Sequence, residues 1–342
     1  MTPLVVSSPH AHRPLSTGRV MRTVILACAP GLLALVWFFG WGVVVTTALC
    51  VAGAVATEAV FLRLRARPVA TVLQDSSAIL TGVLLGLALP PLLPWWMTVL
   101  GAAFAISFGK QLYGGIGQNP FNPAMLGYVV LLISFPAEMS SWAPAGDPVG
   151  PGSALVQIFG GGPVPDALTG ATPLDDFKYR GALTTEEWRV QSGLGGDFAG
   201  VGWEWVNLAF LAGGLWMLQR RLFSWHAPVA MLASLAVLSL LFWDGGSSAS
   251  HGSPIHHLFS GATMFGAFFI VTDPVSSATS QRGRLIFGAG VGVLVYVIRA
   301  FGNYPDAVAF GVLLMNLAAP FIDQYTKTRT YGHAAQRSGD TS

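Results

Sequence analysis

The sequence predicts an all-α polytopic membrane protein. About ten transmembrane helices fall into two inverted five-helix repeats, with one long polar loop between the repeats on the extracytoplasmic side. Three observations predict this. The chain of 342 residues is 53% hydrophobic and only 10% charged, against about 25% charged in ordinary soluble domains. Its apolar runs are long and continuous rather than alternating, which favours helices over a barrel, since hydrocarbon admits only these two. And the chain matches itself at an offset of 184 residues.

A helix needs roughly 20 apolar residues to span a bilayer. Candidate spans lie near 23–40, 42–62, 73–91, 93–109, 123–138, 204–219, 226–243, 258–272, 285–300 and 305–322. Several are short, and those near 123, 258 and 285 are candidates for tilted or broken helices. The domain plan is an N-terminal tail (1–22), a first membrane repeat (23–138), a loop (139–203), a second repeat (204–322) and a C-terminal tail (323–342). The polar start runs without a break into two apolar segments, so no cleavable signal peptide is expected.

Lysine and arginine collect in cytoplasmic loops. With both termini inside, the cytoplasmic segments hold fourteen of the eighteen basic residues, Lys110 among them. Lys178, Arg180, Arg189 and Arg299 fall elsewhere, Arg299 at a helix end from which it can snorkel. A net charge of +2 gives no reason to expect a nucleic-acid partner, and lipid is the expected surround. Cys28 and Cys50 lie in apolar runs and read as small core residues; two thiols do not make an iron–sulfur site.

The offset brings Ala78 onto Ala262, Gly82 onto Gly266, Pro90 onto Pro274, Asn119 onto Asn303, Gly127 onto Gly311 and Asn122 onto Asp306. Five spans per half put the two copies in opposite orientations. Inverted repeats with broken helices place a polar site near the bilayer midplane. Segment 114–123, Gly-Gly-Ile-Gly-Gln-Asn-Pro-Phe-Asn-Pro, reads as such a break: glycines permit close approach, prolines free carbonyls, and Asn119 and Asn122 supply amides. A tight helix–helix turn is the plainer alternative. Glu58, Asp75, Asp273 and Asp306 are ionisable residues at or near membrane depth, each a candidate for a direct chemical role or simply for capping and snorkelling. His251, His256 and His257 match no zinc spacing and read as an ordinary external loop.

Three stretches carry a resemblance. Lys110 to Met125, Ser260 to Pro274 and Asp75 to Pro91 resemble the signatures of the D subunit of the Rnf electron-transport complex, whose relative is the B subunit of the sodium-pumping NADH:quinone reductase. The resemblance implies an inner-membrane subunit that relays electrons between ferredoxin and NAD, coupled to sodium or proton movement. It also implies FMN bound covalently as a phosphoester to a threonine in an Asp-x-x-Ser/Thr-Gly-Ala-Thr pattern, installed by a flavin transferase outside the cytoplasm. Here the pattern runs from Asp166 to Thr172, making Thr172 the acceptor and Asp166 a contact for the transferase or its metal. Ser260-Gly261-Ala262-Thr263 imitates its end, but His257 stands where the aspartate belongs. A second, non-covalent flavin, riboflavin, is implied within the membrane, with Asn119, Asn122 and Asp306 as candidate contacts. Implied partners are the other Rnf subunits, including a second flavin-bearing subunit and iron–sulfur subunits. No general acid or nucleophile is expected, and enzymatic activity would belong to the assembly. The rival readings are the quinone-reductase B subunit and, outside redox chemistry, a channel or transporter similar in fold to urea and ammonium channels.

Overall fold

The computed structural model describes residues 16–160, 162, 164–304 and 307–326. The candidate Asp306 and the greater part of both tails lie outside the described residues. Among those described there is no strand; the extended contacts are two isolated bridges, Gly40 with Val149 and Trp142 with Gly170. Four helical segments are long and apolar enough to cross a membrane: Thr17–Phe39, Gly42–Leu64, Gln281–Phe301 and Val308–Tyr325. Shorter apolar helices are Ser77–Ala88, Pro123–Ser134 and His226–Leu241, and Trp95–Gly109 and Trp203–Gln219 complete the long elements.

The elements break where the sequence supplies a reason. The first segment is interrupted at Cys28, just ahead of Pro30, because a proline removes a backbone donor and crowds the preceding turn. The span expected over 123–138 stops at Ser134, since Phe135 precedes Pro136 and leaves helical geometry (φ −137°, ψ 60°). The span expected over 258–272 is broken into a short helix Pro254–Phe259, a turn Thr263–Phe265 and a π-helical turn Gly266–Ile270. By contrast, Gln281–Phe301 is continuous, so no break exists near 285.

Packing follows the same plan in each half. Helix 42–64 lies against 95–109, which lies against 123–134; helix 226–241 lies against 281–301, which lies against 308–325. The halves meet through corresponding elements, 29–39 against 203–219 and 123–134 against 308–325. Small residues make the closest approaches: a Cβ on Gly82 would come within 2.6 Å of the Val51 Cα, so helices 42–64 and 77–88 touch backbone to backbone. Such contacts suit a setting without a hydrophobic drive between helices. Cys28 and Cys50 are free and buried, as small core residues.

Candidate functional site

Two cavities lie toward opposite ends of helix 203–219. Trp203, its first residue, lines one, and Met217, near its last, lines the other. The intervening helix rises about 21 Å at 1.5 Å per residue.

The first cavity, of about 90 Å³, is lined by Thr172 and Asp175 from the long connection, by Tyr128, Trp142, Trp203 and Tyr304, and by apolar side chains. Thr172 is half-buried and caps the helix Pro173–Lys178. Its Oγ1 accepts from the Asp175 N–H at 3.2 Å and donates to Asp175 Oδ2 at 2.8 Å. Proline directly after a threonine cap is a strong helix start, since its missing N–H has no partner to lose. The preceding segment is pinned where the Gly170 N–H donates to the Trp142 carbonyl at 2.8 Å. Trp142 meets Trp203 edge-on, with centroids 4.8 Å apart. Asp166 lies on an exposed 3₁₀ turn, Asp166–Leu168.

Glu204 secures the end of this connection. Its carboxylate accepts four backbone N–H groups, from Asp197, Phe198, Ala199 and Gly200, at 2.9 to 3.3 Å. The Ala199 carbonyl in turn accepts from His256 Nδ1 and Ser260 Oγ, both at 2.9 Å. The two hydroxyl residues of the imitation motif, Ser260 and Thr263, are thereby locked into the core. Thr263 is fully buried, and its hydroxyl is bonded to the His257 and Ser260 carbonyls.

The second cavity, of about 210 Å³, brings Asn119 and Asn122 together with Ser77, Lys110, Asp273 and Arg284, beside Leu80, Phe268 and Phe269. Asn122 caps helix 123–134 through Met125 N–H at 3.2 Å. Its own N–H donates to Asn316 Oδ1 at 3.0 Å, and its amide faces Asp273 Oδ2 at 3.4 Å. Asn316 closes the ring by donating to the Ser276 carbonyl at 2.9 Å, and Ser276 Oγ donates to Asp273 Oδ2 at 2.8 Å. Asp273 thus accepts at a chain break, as does Asp75, whose carboxylate accepts from the Ser77 N–H and hydroxyl. Gly114, Gly115 and Gly117 all have φ near +100°, which carries the chain through the bend before Asn119. Asn119 donates to the Phe121 carbonyl at 2.9 Å.

Lys110 corrects the sequence reading. It stands in the turn after helix 95–109, as expected, but it is buried rather than solvent-facing, and its ammonium donates to Glu58 Oε1 and Ser77 Oγ, both at 2.6 Å. Gln111 donates to the same Glu58 oxygen at 2.9 Å. Glu58 lies inside helix 42–64 rather than at its end, so a distant cation satisfies it instead of snorkelling. Arg299 is likewise buried, with Nη1 donating to the His257 carbonyl at 2.9 Å.

The histidines require a second correction. His256 and His257 do not lie in an ordinary loop. Ser253 caps the helix Pro254–Phe259 and turns both rings inward, against Phe177 and Tyr296. Burial, reinforced by nearby cations, lowers the His256 pKa to about 4 and that of His257 well below its ordinary value. Among the described residues no group of three or more His, Cys, Asp or Glu side chains is placed to hold a metal ion.

The sequence profile of the NQR2, RnfD, RnfE family matches residues 4–332. A protein of Ectopseudomonas mendocina, named as the D subunit of an ion-translocating oxidoreductase complex, is 60% identical over 334 residues, covering 98% of this chain and 97% of its own. Proteins of the same name from Marinobacter nauticus (54%, covering 97% and 96%) and Cellvibrio japonicus (50%, covering 100% and 98%) are similar along their full length. The chain belongs to the NQR2, RnfD, RnfE family.

Proposed function

We propose that this chain is the D-type subunit of an ion-translocating oxidoreductase complex and carries two flavins, FMN as a phosphoester on Thr172 and riboflavin held non-covalently between the halves. The names of relatives that match from end to end support the D-type reading over the quinone-reductase B subunit. The observation that carries the flavin reading is the contrast between two threonines in Gly-Ala-Thr. Thr172 presents a half-buried hydroxyl on an aromatic-walled cavity, whereas Thr263 is sealed in the core.

The residues fit both groups. Thr172 Oγ1 is a hydroxyl acceptor for a phosphoryl group, and Asp175 orients its proton. Tyr128, Trp142, Trp203 and Tyr304 offer faces and edges to a planar ring. Exposed Asp166 is a contact for the maturing transferase. In the other cavity the amides of Asn119 and Asn122 and the ammonium of Lys110 suit the polar edge of an isoalloxazine, while Phe268 and Phe269 suit its face. Flavin, when bound, supplies one- and two-electron redox chemistry; the chain supplies position, field and exclusion of water.

Parallel packing in the two halves and their 184-residue register support ten spans in two inverted five-helix repeats. On that plan both termini are cytoplasmic and the Thr172 loop is periplasmic. The coupling ion is sodium or a proton, and the nicotinamide and iron–sulfur chemistry sits on neighbouring subunits. Expression with the flavin transferase tests the reading: the denatured chain fluoresces under ultraviolet light, Thr172→Val loses the signal and Thr263→Val retains it. A signal that survives Thr172→Val sinks the assignment.

A further inference from the structure

The long connection contains a stretch without charge. From 148 to 165 there is no Asp, Glu, Lys or Arg, and its middle forms the helix Pro151–Gly160. Ala154 and Ile158, one turn apart, face the protein and are fully buried. Leu155, Val156 and Phe159 face away from it, 45%, 75% and 52% exposed. At about 100° per residue, these three share an arc of about 100° on the helix surface. Ser153 and Gln157 fall on the remaining flank. The helix therefore has three sides: one against protein, one apolar and exposed, one polar.

Its position accounts for the apolar side. The Trp41 N–H donates to the Val149 carbonyl at 3.2 Å, and the Gly146 N–H to the Phe38 carbonyl at 3.0 Å. These bonds tie the stretch to the joint between segments 17–39 and 42–64, and helix 151–160 packs on helix 42–64. Gly40 makes the joint possible: its φ is +89°, and a Cβ there would collide with Val149. The turn that precedes helix 95–109 lies at the same end, since Thr46 Oγ1 donates to the Pro91 carbonyl at 3.0 Å. Trp41, Trp95 and Trp96 are all exposed at this end. Exposed tryptophans at the ends of spanning helices mark the membrane–water interface. Leu155, Val156 and Phe159 thus continue a lipid-facing belt, on a stretch free of the charges that the acyl boundary disfavours.

We propose that Pro151–Gly160 is an interfacial helix, with Leu155, Val156 and Phe159 inserted at the boundary between lipid headgroups and acyl chains. Such helices bind in proportion to the apolar area they bury there. The insertion anchors the connection ahead of Thr172, on the side of the membrane where helices 42–64 and 95–109 begin. The proposal rests on the membrane-spanning reading of those helices and on neither flavin.

The test places a nitrobenzoxadiazole fluorophore on single introduced cysteines in the full chain, reconstituted in phosphatidylcholine vesicles. Native Cys28 and Cys50 are buried, and the unsubstituted chain sets the background. Val156→Cys and Phe159→Cys report the helix. Leu26→Cys, exposed near the middle of the apolar segment Thr17–Phe39, reports the acyl core. Glu186→Cys, exposed on the helix Thr185–Ser192, reports water. Lipid carrying a nitroxide near the head of its acyl chain quenches the labels at 156 and 159 more than lipid carrying one near the tail, and the order reverses at 26. Aqueous iodide quenches the label at 186 severalfold more than those at 156 and 159. Iodide quenching at 156 and 159 equal to that at 186, with no quenching by either lipid, overturns the proposal. If that iodide quenching then disappears in the assembled complex, a partner subunit covers the face in place of lipid. Stronger quenching at 156 and 159 by the deep nitroxide overturns it too, by placing the helix in the acyl core. Failure of both lipids at 26 as well strikes the spanning reading together with the proposal.

Discussion

Thr172 and Asp175 bond to each other twice: the threonine hydroxyl donates to the carboxylate at 2.8 Å and accepts from the same residue's N–H at 3.2 Å. The pair is local, spanning one turn, so it persists when the segment is presented to another protein. It aims the hydroxyl proton at a carboxylate. Thr172→Ser keeps a hydroxyl at the acceptor position and receives covalent flavin. Thr172→Val removes the acceptor and costs the short helix about 1 kcal/mol as a lost cap. In-gel flavin fluorescence and thermal unfolding separate these two effects, since only the first depends on the cofactor.

The Lys110–Glu58 pair is buried, with one Glu58 oxygen already lacking a partner. Removing one member of such a pair strands a charge at a cost of about 3–5 kcal/mol, whereas replacing both by apolar groups is often neutral. Lys110→Met therefore lowers the thermal transition sharply, and Lys110→Met with Glu58→Leu recovers most of it. Equal losses in the single and double variants would show that the pair is not energetically coupled.

Asn316 joins the two halves by accepting from the Asn122 N–H and donating to the Ser276 carbonyl. Asn316→Leu leaves both backbone groups buried and unpaired, at about 2 kcal/mol or more. The variant loses non-covalent flavin on purification and keeps the covalent flavin. Retention of both flavins at the wild-type ratio would place the riboflavin elsewhere.

His256 makes stability depend on pH. Its pKa falls from an ordinary 6.5 to about 4 on folding, mainly through burial, with Arg299, Arg180 and Arg189 adding to the shift and the Ala199 carbonyl opposing it. A depressed folded-state pKa means the unfolded chain binds the proton more tightly. The contribution is complete above 6.5 and is lost as pH falls toward 4. Thermal unfolding in detergent shows a transition that falls with pH between these limits, and His256→Gln makes the fall shallower without abolishing it, because buried His257 contributes in the same direction. A transition that does not move across this range contradicts a buried, neutral His256.

The broken helices are legible in the sequence because Gly, Pro and Asn act on their own neighbours. Asn122 as a cap and Gly114 to Gly117 as a bend follow from short-range geometry. Asn316 is not legible, because its role depends on a partner 194 residues away. Lys110 misleads for a related reason: counting charges by loop cannot see that Glu58, 52 residues earlier, draws the ammonium into the core. The histidines are half-legible, because Ser253 as a cap is a local signal, whereas the inward turn of the rings depends on Phe177 and Tyr296 in distant segments. Thr263 shows the converse. Its motif letters imitate an acceptor site, and packing sets it apart from Thr172.

The most direct measurement is a mass spectrum of the peptide containing residues 166–178, taken from the chain matured alongside its flavin transferase. The account predicts added mass equal to esterified FMN, with fragmentation placing it on Thr172. An unmodified peptide, or the same mass on Thr169 or on the peptide bearing Thr263, contradicts it.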